Sequence, residues 1–180
     1  LEQSIDWDAV TPLIDFVNLM TYDLVNGYAT VTGHHTPLHD YLPGQESTSK
    51  CVNWLINKKV PAKKLIIGAA MYARVWENVP NNNNGLYQDG KFKQGLSYSL
   101  FTKFFSDTAG FKYYWDSDAK APYYYSATKK LFATFDDKRS IQEKTGYIRN
   151  KKLGGIMFWE LPDDLKKDGL VDEMSRGLKN

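Results

Sequence analysis

The stretch Phe16–Asp23, FVNLMTYD, has the character of a buried strand that ends in polar chemistry. Its apolar side chains are typical of a strand that is covered on both faces, as in a parallel sheet. Tyr22 and Asp23 follow at the point where the strand ends. In barrel enzymes of alternating strands and helices, this carboxyl end is where active sites lie. The stretch therefore predicts a parallel sheet with a site at one edge.

Two later stretches repeat the pattern. Leu65–Met71, LIIGAAM, is followed by Tyr72 and Arg74, and Gly154–Phe158, GGIMF, is followed by Trp159. Because the carboxyl ends of parallel strands meet at one edge of a sheet, we expect the side chains that follow all three strands to share one site.

Composition narrows the class of protein. A chain of 180 residues is most simply one domain with a real core, yet it is shorter than the roughly 250 residues of a complete eight-stranded barrel. Aromatic residues make up 14% of the chain, which suits stacking on flat apolar ligands and equally suits core packing. The net charge of +2 is too small to indicate a nucleic acid or an anionic membrane as a partner. No apolar run approaches the roughly 18 residues of a membrane span.

One strand–helix–strand unit is predicted in the first part of the chain. The strands cover 15–22 and 63–71, and Ser47 caps a helix from about 48 to 59. After Trp76 the pattern changes to short aromatic runs, which predict antiparallel strands in a small α+β insertion. The chain then returns to a helix over 141–150 capped by Ser140, a strand over 154–159 and a last helix over about 165–178.

Four motifs together resemble one known family. They are Met20–Asp23 (MTYD), Thr32–Leu38 (TGHHTPL), Tyr72–Trp76 (YARVW) and Gly154–Trp159 (GGIMFW). They resemble the last three strand-end motifs of the family 18 glycoside hydrolases, the chitinases, and the loop after the first of them. The stretch between the second and third strands resembles the chitinase insertion domain.

The resemblance implies an α/β fold, namely a partial TIM (β/α)8 barrel of about the last three βα units with an α+β insertion. Residues 1–76 would form a barrel part, residues 77–136 the insertion domain, and residues 137–180 the remaining barrel part. Open strand edges would then be completed by an amino-terminal barrel half or by self-association.

The sequence also departs from the family. The defining motif D-x-x-D-x-D-x-E, whose Glu is the general acid, does not occur in it. Its nearest counterpart is Asp6–Asp8, where Val10 stands in the place of the Glu, so neither Asp8 nor Glu160 is a candidate acid. We expect this chain by itself to lack turnover.

The resemblance assigns the catalytic roles. In this family the nucleophile is the N-acetyl oxygen of the substrate, and the protein positions the acetamido group and stabilises its growing charge. Tyr22 would hydrogen-bond the acetamido oxygen, and Asp23 would bind sugar hydroxyls or the amide. The structural alternatives are a tyrosine whose hydroxyl bonds to backbone and an aspartate that caps a helix or loop.

Five further residues are predicted to bind substrate. Met20 would line the pocket floor, Tyr72 and Arg74 would flank the second strand end, and Trp76 and Trp159 would stack under sugar rings. The alternatives are core packing for Met20, Trp76 and Trp159, and an ion pair with a carboxylate for Arg74.

Other aromatic and histidine residues carry weaker signals. Some aromatic side chains of the insertion either wall a groove or form its core: Tyr98, Tyr114, Trp115 and Tyr123. His34, His35 and His39 lack the cysteine or carboxylate spacing of a metal site, so neither a metal nor another cofactor is expected.

The implied activity is retaining hydrolysis of β-1,4 bonds in chitin or N-acetylglucosamine oligosaccharides, in a secreted or periplasmic enzyme. Two alternatives stay open. One is a non-catalytic, chitinase-like glycan-binding protein (a lectin), and the other is an endo-β-N-acetylglucosaminidase acting on N-glycans.

Overall fold

A computed structural model describes residues 4–40 and 42–179. The helices are α1 (Trp7–Val10), α2 (Thr48–Asn57), α3 (Phe101–Phe104), α4 (Lys138–Lys151) and α5 (Leu170–Lys179). The strands are β1 (Val17–Leu19), β2 (Leu65–Ala70), β3 (Tyr72–Glu77), β4 (Lys91–Ser97), β5 (Lys112–Asp116), β6 (Ala121–Ser126), β7 (Leu131–Thr134) and β8 (Gly155–Trp159).

The three predicted apolar strands are neighbours in one parallel sheet of order β1–β2–β8. Leu19 pairs with Ile67 at the end of β1, and Ala70 pairs with Trp159 at the end of β8. The α/β class is therefore confirmed, and the carboxyl ends of the three strands meet at one edge.

β1 is shorter than the strand predicted over 15–22. At Thr21 the backbone N–H donates to the carbonyl of Leu19 at 2.8 Å, so the chain turns out of the sheet. Asp23 then adopts a left-handed φ of 57°. This turn carries Tyr22 and Asp23 away from the strand direction.

One face of the parallel sheet is open in the described chain. Phe16 is 57% exposed and Met20 is 67% exposed, whereas Leu19 is buried against Ile67 and Val52 on the other face. Since side chains alternate along a strand, the helices α2 and α4 cover only one side of the sheet. The prediction that both faces of β1 are covered is therefore wrong for these residues.

A second, antiparallel sheet has the order β4–β3–β7–β6–β5. Only Met71 separates β2 from β3, so the chain passes directly from the parallel sheet into the antiparallel one. The boundary predicted between residues 76 and 77 falls within β3. The aromatic runs form the antiparallel strands β5, β6 and β7, as their pattern predicted.

Helix ends match the sequence signals in one case and differ in two. Ser47 caps α2 by accepting a hydrogen bond from the N–H of Lys50. Asp137, not Ser140, caps α4, and Ser140 completes a capping box three residues later. α5 begins at Leu170 because the carboxylate of Asp164 accepts the backbone N–H groups there.

Among the described residues, no helix combines the length and apolarity that crossing a membrane requires.

A buried ion pair lies where the two sheets and α4 meet. The Nζ of Lys144 is 2.6 Å from Asp136 Oδ2 and 2.6 Å from the hydroxyl of Thr36, and both charged side chains are fully buried. Asp136 also accepts the N–H of Ala70 at 3.0 Å and the hydroxyl of Ser140 at 2.7 Å. Burial lowers the pKa of Lys144, and the charge of Asp136 opposes that effect. The pair thus connects β2, the loop after β1, the segment after β7 and α4.

Replacing Lys144 by methionine should lower the free energy of unfolding by about 3–5 kcal/mol, because Asp136 would be left buried without its cation. Urea unfolding followed by circular dichroism measures this. Lys151→Met, which changes an exposed lysine of the same helix, should alter stability by less than about 0.5 kcal/mol. A loss below about 1 kcal/mol for Lys144→Met would show that the ion pair does not hold the sheets together.

Candidate functional site

A cavity of about 440 Å³ opens at the carboxyl edge of the parallel sheet. Its wall contains residues from both sheets and from the loops that follow β1 and β8: Met20, Tyr22, Asp23, Tyr72, Arg74, Gly95, Leu96, Ser97, Trp159 and Asp163. The structure thus brings together every residue of the predicted site except Trp76. The arrangement follows from the topology, because β2 and β8 end at this edge and β3 starts there.

Asp23 is held by a set of hydrogen bonds inside this cavity. Arg74 donates from Nε to Oδ1 at 2.6 Å and from Nη2 to Oδ2 at 2.7 Å, which makes a bidentate pair. The hydroxyl of Tyr72 donates to Oδ2 at 2.9 Å. Asp23 is therefore not a helix cap. Arg74 lines the cavity and also forms an ion pair with a carboxylate, which was the structural alternative predicted for it.

These contacts control the ionisation of Asp23. Burial acts to raise its pKa, but the hydrogen bonds and the charge of Arg74 outweigh burial and hold the pKa well below its usual range. Burial, followed by the charge and hydrogen bond of Asp23, raises the pKa of Tyr72 far above its usual value. At neutral pH the site therefore contains a fixed carboxylate, a guanidinium and a protonated phenol.

His35 lies behind Asp23 and was not predicted as a site residue. Its imidazole is fully buried and accepts the N–H of Asp23 at Nδ1, over 3.4 Å. A hydrogen bond from Nδ1 to Asp23 Oδ1 would need the opposite tautomer. These two atoms are 3.7 Å apart, which is beyond hydrogen-bond distance. We therefore place the proton on Nε2. Burial lowers the pKa of His35, so the ring is neutral.

His34, in the loop after β1, contacts β5 of the antiparallel sheet. Its Nε2 is 3.0 Å from Asp116 Oδ2. Burial acts to raise the pKa of Asp116, but the bond to His34 and backbone N–H groups hold it at about 2. Within residues 4–40 and 42–179, no cluster of three or more His, Cys, Asp or Glu side chains could hold a metal ion.

Tyr22 presents an unpaired hydroxyl. The oxygen is buried and has no hydrogen-bond partner among the residues that the structure describes. The ring lies edge-on to Tyr72, with centroids 6.3 Å apart, and burial raises the pKa of its hydroxyl. A buried hydroxyl without a partner costs free energy, which a ligand that bonds to it would recover.

Trp159 forms an open aromatic surface. It is 56% exposed at the end of β8, and its carbonyl accepts the N–H of Met71 at 2.8 Å, which fixes its backbone. Met20 is 67% exposed and also lines the cavity. In the described chain neither is a core residue, so the packing alternative does not apply to them.

Trp76 requires a correction. It is fully buried, donates from Nε1 to the carbonyl of Ala29 at 3.0 Å, and packs against Phe92 and Phe132. Its prediction as a substrate-binding residue is wrong, because the loop after Asp23 folds over this part of β3. The aromatic residues of the insertion named above also lie outside the cavity wall, and Tyr114 stacks on Tyr123 with centroids 5.1 Å apart.

Four residues of the cavity wall were not predicted from the sequence. Gly95, Leu96 and Ser97 come from β4, and Asp163 comes from the turn after β8. β4 alternates polar and apolar residues only over Lys91–Lys93, which is a weak strand signal, and nothing in its sequence pairs it with β3.

Comparison with known proteins agrees with this geometry. Residues 1–164 match the family model described as "Glycosyl hydrolases family 18". The chain belongs to family 18 of the glycosyl hydrolases. Chitinase A1 of Niallia circulans is 32% identical over 177 residues, covering 88% of this chain and 25% of that protein.

Two solved enzyme structures are also similar to this chain. A family 18 N-acetylglucosaminidase from Paenibacillus barengoltzii has 39% identity and a TM-score of 0.85, over 94% of this chain and 50% of its own. A multi-modular, cell-surface-expressed chitinase from Paenibacillus sp. str. FPU-7 has 34% identity and a TM-score of 0.92, over 99% of this chain and 21% of its own. The chain thus spans half or less of the length of each of these proteins.

Arg74→Gln should raise the pKa of Asp23, because the variant removes the cation and its hydrogen bonds. Carboxyl 13C NMR titration measures the shift. The same shift determines how stability depends on pH. Because the pKa of Asp23 is lower in the folded state than its unfolded value of about 4, its ionisation stabilises the fold above about pH 4. That contribution is lost as the pH falls towards the folded pKa. The variant should therefore be less stable than the wild type at pH 7 and approach it in acid. Arg149→Gln, an exposed arginine outside the site, should leave the Asp23 titration unchanged, and equal titration curves for all three proteins would refute the assignment.

Gly68→Ala should displace Tyr22 and destabilise the protein by about 1–3 kcal/mol. A methyl group there would lie 2.7 Å from the carbonyl oxygen of Leu19 and 2.9 Å from the Tyr22 ring. Gly146→Ala in α4 meets no atom within 4 Å, and it should stabilise the helix by up to about 1 kcal/mol. Urea unfolding of the pair tests this, and a gain in stability from Gly68→Ala would contradict the packing described.

Proposed function

We propose that the chain is the carboxyl-terminal part of a family 18 barrel with an inserted α+β domain. The parallel sheet β1–β2–β8 would supply the last three barrel strands, and the open face around Phe16 and Met20 would be the side turned to the barrel interior. The change of sheet at Met71 supports an insertion that begins at Tyr72, slightly earlier than the boundary predicted from sequence.

The parent activity that we propose is hydrolysis of β-1,4 bonds between N-acetylglucosamine units, with retention of configuration. One observation carries the proposal: a buried, unpaired tyrosine hydroxyl and an exposed indole line the same cavity. A pyranose ring has an apolar C–H face that suits an aromatic plane, and its acetamido group offers a carbonyl oxygen to a hydroxyl donor. The chitinase and the N-acetylglucosaminidase among the similar proteins support this substrate class.

Each side chain then has a physical role. Trp159 would orient the sugar, and Tyr22 would donate to the acetamido oxygen so that this oxygen lies near the anomeric carbon. When the acetamido oxygen attacks and the glycosidic oxygen leaves with a proton, positive charge develops on the acetamido group. The carboxylate of Asp23 would stabilise that charge. Arg74 and Tyr72, which donate to the carboxylate, would keep it ionised, and His35 would hold its backbone in place.

The proton donor has to come from outside this chain. Within the described residues the carboxylates of the cavity wall are Asp23 and Asp163. Asp23 is ionised by its pairing with Arg74, and Asp163 accepts a hydrogen bond from Ser97. We propose that another segment, an amino-terminal barrel half, supplies the acid and covers the open sheet face, and that the complete protein acts in a secreted or periplasmic location.

Trp159→Ala should weaken binding of N-acetylglucosamine tetrasaccharide about tenfold or more, because the indole surface is lost. Tyr22→Phe should weaken it about three- to tenfold through the loss of one hydrogen bond. Titration followed by two-dimensional NMR suits the weak affinity of a partial site. Leu13→Ala, which changes an apolar side chain that is 83% exposed and outside the cavity, is the matched control. Unchanged affinity in both site variants would refute the sugar assignment.

The purified 180-residue chain should show no hydrolysis of chitin oligosaccharides above background. A glycan-binding protein without activity is the competing proposal, and it shares this outcome. Supplying the amino-terminal half with its acidic residue separates the two, because turnover should then appear for a chitinase only. A normal rate from the isolated chain would overturn the assignment of the acid to another segment.

A further inference from the structure

Asn26 and Gly27 form an Asn–Gly pair in the loop after β1, three residues beyond Asp23. Neither residue lines the cavity, and neither has a role in the proposed function. Asn26 is exposed, and the following Tyr28 is 96% exposed, so water reaches the pair. Glycine has no side chain that would obstruct a reaction at its backbone nitrogen. The pair therefore combines a primary amide, an accessible peptide nitrogen and water.

The side chain of Asn26 is folded back onto the main chain. Its Oδ1 accepts the backbone N–H of Tyr28 at 2.9 Å, which forms an Asx turn. The ring that this hydrogen bond closes contains both the Cγ of Asn26 and the nitrogen of Gly27, so the two atoms are held close together. The Gly27 N–H itself donates no hydrogen bond within the described part of the chain. Its proton can therefore leave without the loss of a contact.

The second Asn–Gly pair, Asn84–Gly85, is held differently. The N–H of Gly85 donates to the carbonyl of Asn82 at 2.8 Å, and the carbonyl of Gly85 accepts the hydroxyl of Thr32 at 2.6 Å. Gly85 is also buried against the ring of Tyr125. Its nitrogen would have to give up a backbone hydrogen bond before it could react.

Two Asp–Gly pairs are also less reactive than Asn26–Gly27. In Asp89–Gly90 the glycine N–H donates to a loop carbonyl at 2.8 Å. In Asp168–Gly169 the carboxylate is paired with Lys138 and Arg176, and these cations lower its pKa. An ionised carboxylate is a poor electrophile, so neither pair offers what Asn26–Gly27 offers.

We propose that Asn26 is a modification site at which the loop deamidates without an enzyme. A solvent base removes the proton of the Gly27 nitrogen, this nitrogen bonds to Cγ of Asn26, and the side-chain nitrogen takes up a proton and leaves as ammonia. The product is a succinimide. Water then opens it at one of its two carbonyl carbons and gives aspartate or isoaspartate, so water is the only co-reactant.

The modification changes the loop that carries Asp23. The carbonyl of Asn26 accepts the N–H of Ala29 at 3.0 Å, and the carbonyl of Ala29 accepts the Trp76 Nε1–H at 3.0 Å. Isoaspartate routes the main chain through Cβ and so lengthens it by one carbon, and both products add a negative charge. These two hydrogen bonds must then rearrange, and the loop loses its fixed position over Trp76.

The test follows the wild-type chain during incubation at mildly alkaline pH. Peptide mapping by mass spectrometry measures the exchange of amide for carboxyl at Asn26 and at Asn84, and two-dimensional NMR follows the indole N–H signal of Trp76. Asn26→Ser is the matched control, because serine keeps an oxygen that can accept the Tyr28 N–H and has no amide to lose.

In the folded chain Asn26 should react at least about fivefold faster than Asn84, because Gly85 must first give up its hydrogen bond. In urea the two rates should become similar, since both are Asn–Gly sequences. A second Trp76 signal should grow with the Asn26 product and stay absent in Asn26→Ser.

If folded Asn26 reacts no faster than Asn84, the modification site is wrongly assigned. If Asn26 reacts and the Trp76 signal stays unchanged, the inferred effect on the loop is wrong. None of these outcomes depends on sugar binding, so they leave the proposed function to its own test.

Discussion

The buried pair of Lys144 and Asp136 is the constraint on which the geometry of the site depends. Two charges removed from water are stable only when each meets the other and their remaining donors and acceptors are satisfied. Here Thr36, Ala70 and Ser140 supply those partners. The pair therefore tolerates one relative placement of the loop, β2 and α4, which apolar contacts alone would specify less tightly.

The loop after β1 connects the buried ion pair to the cavity wall. Thr36 belongs to the ion-pair network, and the neighbouring His35 accepts the backbone N–H of Asp23. Asp23 in turn takes its bidentate bonds from Arg74 on β3, in the other sheet. A chain of polar contacts thus runs from the interior to the cavity wall, and it explains why a carboxylate can remain ionised while largely surrounded by protein. The neutral ring of His35 suits this position, because a second buried cation beside Lys144 would be unfavourable.

The two sheets differ in how much of their surface is buried. The antiparallel sheet buries aromatic cores on both faces, with Phe105 and Phe135 on one side and Trp76 and Phe132 on the other. The parallel sheet is buried under α2 and α4, but on its opposite face Phe16, Met20 and Trp159 are exposed in the described chain. An apolar surface of this kind is costly in water unless another surface covers it. The site lies where the two sheets meet, and two of its lining residues, Met20 and Trp159, are exposed in the described chain.

The sequence by itself determined the apolar strands and the side chains at their ends, because these depend on local pattern. It indicated the parallel arrangement through the continuous apolar runs, and the family through motifs that stand in order along the chain. It could not determine that β3 leaves the parallel sheet at Met71, since β3 is stabilised by pairing with β4 and β7, which are distant in the chain. For the same reason it could not separate Trp76, which a loop covers, from Trp159, which stays exposed. His35 and Asp163 became visible as site residues only in three dimensions. Their importance lies in what they contact, and partners that lie far apart in sequence are set by tertiary packing.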